Sequence, residues 1–254
     1  MEPLFSISNL VKTFSPGGET EVRALSGVSL EIREGEFLLI SGANGSGKTI
    51  LMLILAGLMD PDEGELLFRG RPLNTVMGDL RRHLGLIFQD ADAQMVGETV
   101  AEDIAFGPKN LGLSKAEVEE RVQNALAALG LEHKRDRPPR NLSGGEKRRL
   151  AVAGILAMGC QTIIMDEPFA NLDWPGVVQV LEIIRQLKQE GKTVILLTHE
   201  LEKVLAFADR LVILDRGIIR EDGKPAEVLD RLKDAYGVRD PRKSYGTVAD
   251  CTWL

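Results

Sequence analysis

Glu36-Phe-Leu-Leu-Ile-Ser41 runs directly into Gly42-Ala-Asn-Gly-Ser-Gly-Lys-Thr49, and an apolar stretch follows to about Leu58. The first segment reads as a continuous apolar strand. The second is a glycine-rich loop, and the third predicts a helix from Gly47 to about Leu58. Strand, glycine loop and helix in succession open an α/β unit. The spacing G-x-x-x-x-G-K-T is that of a phosphate-binding loop. Its glycines let the backbone wrap an anion with amide hydrogens pointing inward, and the helix adds its positive end. Gly42, Ala43, Asn44, Gly45, Ser46 and Gly47 are therefore candidate cradle residues for a nucleotide. Lys48 is expected to reach the β- and γ-phosphates, and the Thr49 hydroxyl to ligate Mg²⁺.

Further along, Thr162-Ile-Ile-Met-Asp-Glu167 is an apolar strand that ends in two carboxylates. Alone, it could be an ordinary strand end with two solvated acids. Open α/β sheets bind ligands at the carboxyl ends of their strands. Beside a phosphate loop, Asp166 is thus a candidate for the Mg²⁺ shell and Glu167 for the base that polarises an attacking water.

The rest of the chain alternates in the same way. Leu4 to Leu10 predicts a strand, and Val28, Leu30 and Ile32 alternate with polar residues as in a half-buried strand. Ser15-Pro-Gly-Gly-Glu between them reads as a turn. Ser114 and Glu117 form a capping box for a helix carrying Val118, Val122, Leu126 and Leu129, closed by Gly130. A proline-bearing stretch, His133 to Arg140, precedes Leu142-Ser-Gly-Gly-Glu146, itself a capping box for a helix from Lys147 to Met158. Thr193 to Leu197 predicts a buried strand. The helix before it should turn Val177, Val180, Leu181, Ile184 and Leu187 inward. Leu211–Leu214 and Gly217–Arg220 suggest a hairpin, and the polar stretch from about Ala235 is expected to be loosely held.

Composition narrows the class of function. With 254 residues and 44% hydrophobic side chains, the chain can bury a sizeable core without staples. A net charge of -7 and a pI near 5.2 disfavour a nucleic-acid binder that works by bulk charge. Cys160 and Cys251 lie far apart, which fits neither a disulfide framework nor a metal cluster and suits a reducing compartment. The longest apolar run, Ile50 to Met59, is far short of the roughly 18 residues that a membrane helix needs. The first residues, Met1-Glu-Pro-Leu-Phe-Ser6, carry no basic and apolar leader pattern.

Phosphate loop, Leu-Ser-Gly-Gly-Glu and apolar-Asp-Glu strand, in this order, resemble the ATP-binding-cassette (ABC) ATPases, over nearly the whole chain to about Arg220. The resemblance implies an α/β, P-loop NTPase fold. It comprises a RecA-like core, an N-terminal antiparallel β subdomain and an inserted helical subdomain. On that pattern residues 1–89 and 159–225 form the nucleotide-binding core. Residues 90–158 form the helical signature subdomain, and 226–254 a C-terminal tail. ATP and Mg²⁺ are the implied ligands.

The resemblance also assigns single residues. Phe14 sits where an aromatic stacks on adenine. Gln89 matches a glutamine that touches Mg²⁺ or the attacking water. Ala170-Asn-Leu-Asp173 matches a loop whose aspartate contacts the opposite subunit. His199 matches a histidine on the γ-phosphate. Ser143, Gly144 and Gly145 would contact the γ-phosphate held by a second cassette, so this single cassette is expected to pair with a copy or a relative.

Phe88–Gln94, Glu98–Pro108 and Gly145–Met158 look like the energy-coupling-factor and cobalt/nickel-type ATPases. This implies a peripheral subunit on the cytoplasmic face of the cell membrane. It would power import of a metal ion or vitamin through a transmembrane coupling protein and a substrate-capture component. Arg side chains of the coupling protein would meet Asp90, Asp92, Glu102 and Asp103, unless these acids are simply a solvated face. In that case the contact falls to the apolar wall of Met95, Val96 and Phe106. The alternatives are another ABC importer or exporter and, remotely, a cassette acting on nucleic acid. No long coiled-coil insertion supports the last, and nucleic acid is not expected as a partner.

Overall fold

The computed structural model describes residues 2–15, 17, 21–90 and 94–243. Two sheets organise the chain. Strands β1 (Phe5–Phe14), β2 (Val22–Ile32), β4 (Glu63–Phe68) and β5 (Arg71–Pro72) form an antiparallel sheet in the order β2-β1-β4-β5. The second sheet contains β3 (Phe37–Ser41), β6 (Leu84–Ile87), β7 (Thr162–Asp166), β8 (Thr193–Leu197), β9 (Arg210–Asp215) and β10 (Ile218–Gly223). Its order is β10-β9-β3-β8-β7-β6. All neighbours are parallel except the β9–β10 hairpin at the edge.

The central strands are apolar throughout because both faces of this sheet are covered. Successive side chains alternate between two cores. Leu39, Ile163, Met165, Val194, Leu196, Leu211 and Ile213 pack on one side, with α5 (Gly144–Met158) and α6 (Trp174–Gln189). Leu38, Ile40, Ile164, Ile195, Leu197, Val212 and Leu214 pack on the other, with α1 (Lys48–Leu55) and the antiparallel sheet. Helices α2 (Met77–His83), α3 (Val100–Asn110) and α4 (Lys115–Ala128) complete the middle of the chain. The short α7 (Leu201–Val204) and α8 (Pro225–Arg231) follow β8 and β10.

Several expectations need adjustment. Helix α1 ends at Leu55 rather than near Leu58, because Gly57 takes a left-handed conformation (φ 65°) against Met77 and Leu80. Strand β1 runs on to Phe14, since β2 and β4 pair with it along most of its length. On α6, Leu181 is only partly buried and Ile183 takes the inward place beside Ile184. The stretch after Ala235 is not loose as far as Val238, which is 5% exposed and joins the core with Val228 and Leu229. Pro16, Gly18 and Glu19 of the expected turn, Asp92 and Cys251 lie outside the described residues.

Candidate functional site

The site is built where four parallel strands end. Strand β3 delivers the phosphate loop, β7 delivers Asp166 and Glu167, β8 delivers Thr198 and His199, and β6 delivers Gln89. The loop is pinned from behind by the β9–β10 turn. Gly217 N–H donates to the Ser46 carbonyl at 2.9 Å, and Ser26 N–H donates to the Gly217 carbonyl at 2.8 Å. Gly45 and Gly47 adopt φ of 78° and 106°. Gly47 starts α1 without a side-chain cap, which leaves the first helical amides for an anion.

Phe14, Asn44, Gly45, Ser46, Gly47, Lys48, Thr49, Gln89, Asp166, Glu167 and His199 line one cleft of about 480 Å³. Val22, Arg23 and Ala24 add a wall beside Phe14. Gly42 and Ala43 lie behind this lining. A β-carbon on Gly42 would stand 2.0 Å from the Leu214 carbonyl oxygen, and Ala43 packs on Gly237.

The buried Lys48 ammonium donates to the carbonyls of Gly42 (2.8 Å) and Ala43 (3.2 Å) and faces Glu167 Oε1 at 3.8 Å. Burial lowers its pKa, and the charges of Glu167 and Asp166 oppose that shift. The Thr49 hydroxyl donates to Asp166 Oδ2 at 2.8 Å. Burial raises the Asp166 pKa despite that hydrogen bond, and the neighbouring Glu167 carboxylate pushes the same way.

Glu167 is 7% exposed and takes φ 46°, a conformation that costs roughly 1–3 kcal/mol outside glycine. Its surroundings fix it there. Its N–H donates to the Leu197 carbonyl at 2.8 Å, and the Thr198 hydroxyl donates to Oε2 at 2.9 Å. His199 Nδ1 lies 3.0 Å from Oε1.

These residues suit a nucleotide with a divalent cation. Asp166 Oδ1 and Ser46 Oγ are buried with no hydrogen-bond partner among the described residues. At the buried end of the cleft two carboxylates face one ammonium, an arrangement that a bound cation would help to balance.

Ser143, Gly144 and Gly145 stand apart from this cleft. Ser143 caps α5: its hydroxyl accepts from Glu146 N–H at 3.3 Å, and its own N–H donates to Glu146 Oε2 at 2.8 Å. Gly144 lines a second cleft of about 400 Å³ with Gln89, Asp90, Arg148, Ala170 and Asn171. Asp173 caps α6 by accepting from Gly176 N–H at 3.0 Å. Two residues of this region, Thr198 and Arg148, carry no motif of their own. Thr198 could have been suspected only from its place beside His199.

A third feature is an apolar groove of about 560 Å³ between the segment after β6, α3 and α5, lined by Met95, Val96, Phe106, Ile155 and Met158 among others. Val96 is 60% and Phe106 51% exposed. Two of the acids expected beside it are engaged locally. Asp103 Oδ1 accepts from the amides of Val96 (2.7 Å) and Gly97 (2.9 Å). Glu102 completes a capping box with Thr99. Asp90 lies at the second cleft instead.

Comparisons with known proteins agree with this geometry. Residues 25–170 match the family described as "ABC transporter". The cobalt import ATP-binding protein CbiO of Rhodobacter capsulatus is 44% identical, over 93% of this chain and 85% of the relative. The energy-coupling factor transporter ATP-binding protein EcfA of Methanocaldococcus jannaschii is 42% identical, over 82% of this chain and 76% of the relative.

Among solved structures, cbiO1 from Clostridium perfringens is described as part of the ABC transporter complex cbiONQ. It aligns with a TM-score of 0.80 at 34% identity, covering 91% of this chain and 92% of the other. The ATP-binding cassette MJ0796, described as dimeric in a post-hydrolysis state with ADP and Pi, aligns with a TM-score of 0.76 at 29% identity, covering 87% and 98%.

Proposed function

The chain belongs to the ABC transporter family as an ATPase cassette, and from that premise we propose that it powers an importer of the energy-coupling or cobalt/nickel type. The cargo would be a metal ion or a vitamin. The names of its relatives support this choice. In this reading residues 1–89 and 159–225 form the nucleotide core, 90–158 the signature subdomain and 226–254 the tail. The protein works at the cytoplasmic face of the membrane as a peripheral subunit, paired with a second cassette.

Within the cleft Phe14 stacks on the adenine and Asn44 to Gly47 wrap the phosphates. Lys48 leaves its carbonyl partners for the β- and γ-phosphate oxygens. Thr49, Asp166 and Gln89 hold Mg²⁺, which when bound neutralises charge on the terminal phosphates. Glu167 accepts the proton of the attacking water. Thr198 and His199 hold that carboxylate still, and His199 also reaches the γ-phosphate. The signature of the second cassette, Ser143 with the Gly144 and Gly145 amides, closes over that phosphate.

One observation carries the catalytic assignment. The Glu167 carboxylate is held by hydrogen-bonding groups on both oxygens, next to a buried Asp166 oxygen that has no partner among the described residues. Glu167→Gln should keep ATP binding and lower turnover by roughly 10²–10⁴-fold, the usual contribution of a general base. The check is steady-state ATPase activity beside nucleotide binding. Turnover near the parent rate would remove Glu167 from this role.

The groove of Met95, Val96 and Phe106 is the proposed seat of the transmembrane coupling protein. Its exposed apolar wall supports this reading over pairing with Glu102 and Asp103, whose carboxylates already serve backbone amides.

A further inference from the structure

Arg148, on the second turn of α5, is 4% exposed, yet no carboxylate pairs with it among the described contacts. Its guanidinium spans three backbone carbonyls. Nη1 donates to Phe88 at 2.9 Å, and Nη2 donates to Gln89 at 3.1 Å and to Ala170 at 3.4 Å. Burial lowers its pKa, partly offset by the charges of Asp90 and Asp166. A buried cation held by neutral carbonyls is costly compared with an apolar side chain of similar size. Its placement therefore needs a reason other than stability.

That reason lies in what the three carbonyls belong to. Phe88 and Gln89 leave β6 for the nucleotide cleft. Ala170 opens the loop that ends at Asp173, and Arg148 itself sits one turn beyond Ser143–Gly145. We propose that Arg148 is a positioning residue that locks the signature helix to the Gln89 loop and the Ala170–Asp173 loop, so that the three move as one body. A planar guanidinium suits this task because its donors reach in fixed directions. The inference rests on the roles proposed above for Gln89 and the signature. Engagement of the signature by a second cassette then sets Gln89 in the chain's own cleft through Arg148.

The test compares the parent with Arg148→Met and Arg148→Lys, well below their melting temperatures. Methionine keeps the length and removes every donor. Lysine keeps the charge and part of the reach. Arg148→Met should lower kcat at least tenfold with the KM for ATP changed less than threefold. Arg148→Lys should recover most of kcat. Hydrogen exchange should rise together at 88–90 and 170–173 in the methionine variant, while α5 stays protected.

A folded Arg148→Met protein with kcat within twofold of the parent overturns the proposal. So does a parallel change in KM and kcat, or loop exchange equal to the parent's. Should the methionine variant fail to fold, Arg148→Lys decides. It is expected to show a two- to fourfold loss of kcat with faster exchange at 170–173. Parent values in both readouts would sink the idea. An inactive parent would instead count against the ATPase reading itself, so the two failures are distinguishable.

Discussion

At Gly42 a β-carbon would meet the Leu214 carbonyl oxygen at 2.0 Å and Ser46 Oγ at 2.6 Å, both below any tolerable contact. At Gly45 the opposite holds: no atom lies within 4 Å, and only the backbone, at φ 78°, resists a side chain. Gly42→Ala should therefore push the loop off β9 and lower nucleotide affinity at least tenfold. Gly45→Ala should cost about 1–2 kcal/mol of stability, the penalty for a left-handed L-residue, and leave binding within a few fold. Isothermal titration with a non-hydrolysed ATP analogue, beside chemical denaturation, separates the two. Equal losses of affinity would show that space behind the loop does not matter. Lys48 and Thr49 are legible in the sequence because the phosphate motif is contiguous. Thr198 and Arg148 are not, because their partners come from other strand ends, 31 and about 60 positions away.

Helix α4 shows what a local signal can specify. The Ser114 hydroxyl accepts from Glu117 N–H, and the Glu117 carboxylate accepts from Ser114 N–H. Ser114→Ala should cost about 1 kcal/mol in chemical denaturation, typical of a lost N-cap. The Ser114 hydroxyl first, and the Ser114 N–H second, stabilise the Glu117 carboxylate and hold its pKa below the usual glutamate value. A depressed acid contributes stability above its ordinary pKa and loses it as pH falls through the depressed value. Thermal unfolding of Glu117→Gln should thus fall less steeply with acid than that of the parent. Identical slopes would remove the linkage. Helices α4 and α5 are legible in the sequence because each starts with a capping box and, in α4, continues at helical spacing. Strand β4 is not, because its first three residues are exposed, nor is β6, a four-residue apolar run that periodicity cannot assign. The helical character of Glu98–Pro108 is masked because Gly107 and Pro108 interrupt the pattern of α3.

The nucleotide cleft and the proposed docking groove lie on different surfaces of the molecule. The apolar groove lies beside α3, while the phosphate loop lies at the strand ends, and the two linings share no residue. Val96→Asp, on an exposed wall position, should therefore release the protein from the proposed membrane complex and leave soluble ATP binding intact. Co-purification from detergent-solubilised membranes checks this. Full recovery with the variant would place the contact elsewhere. The acidic pair shows how far sequence alone reaches at this scale. The family resemblance implies an Arg partner from another chain for Glu102 and Asp103, but folding brings the Thr99, Val96 and Gly97 amides to them first. The separation of Ser143 from the cleft of its own chain has a genetic consequence. In the proposed pair of cassettes, each composite site would take Glu167 from one chain and Ser143 from the other. A chain carrying Glu167→Gln and another carrying Ser143→Arg would each be inactive as a homodimer. Expressed together, they form a mixed pair in which one site holds both lesions and the other holds none. The two null alleles should complement each other, and membrane transport should return in cells that carry both.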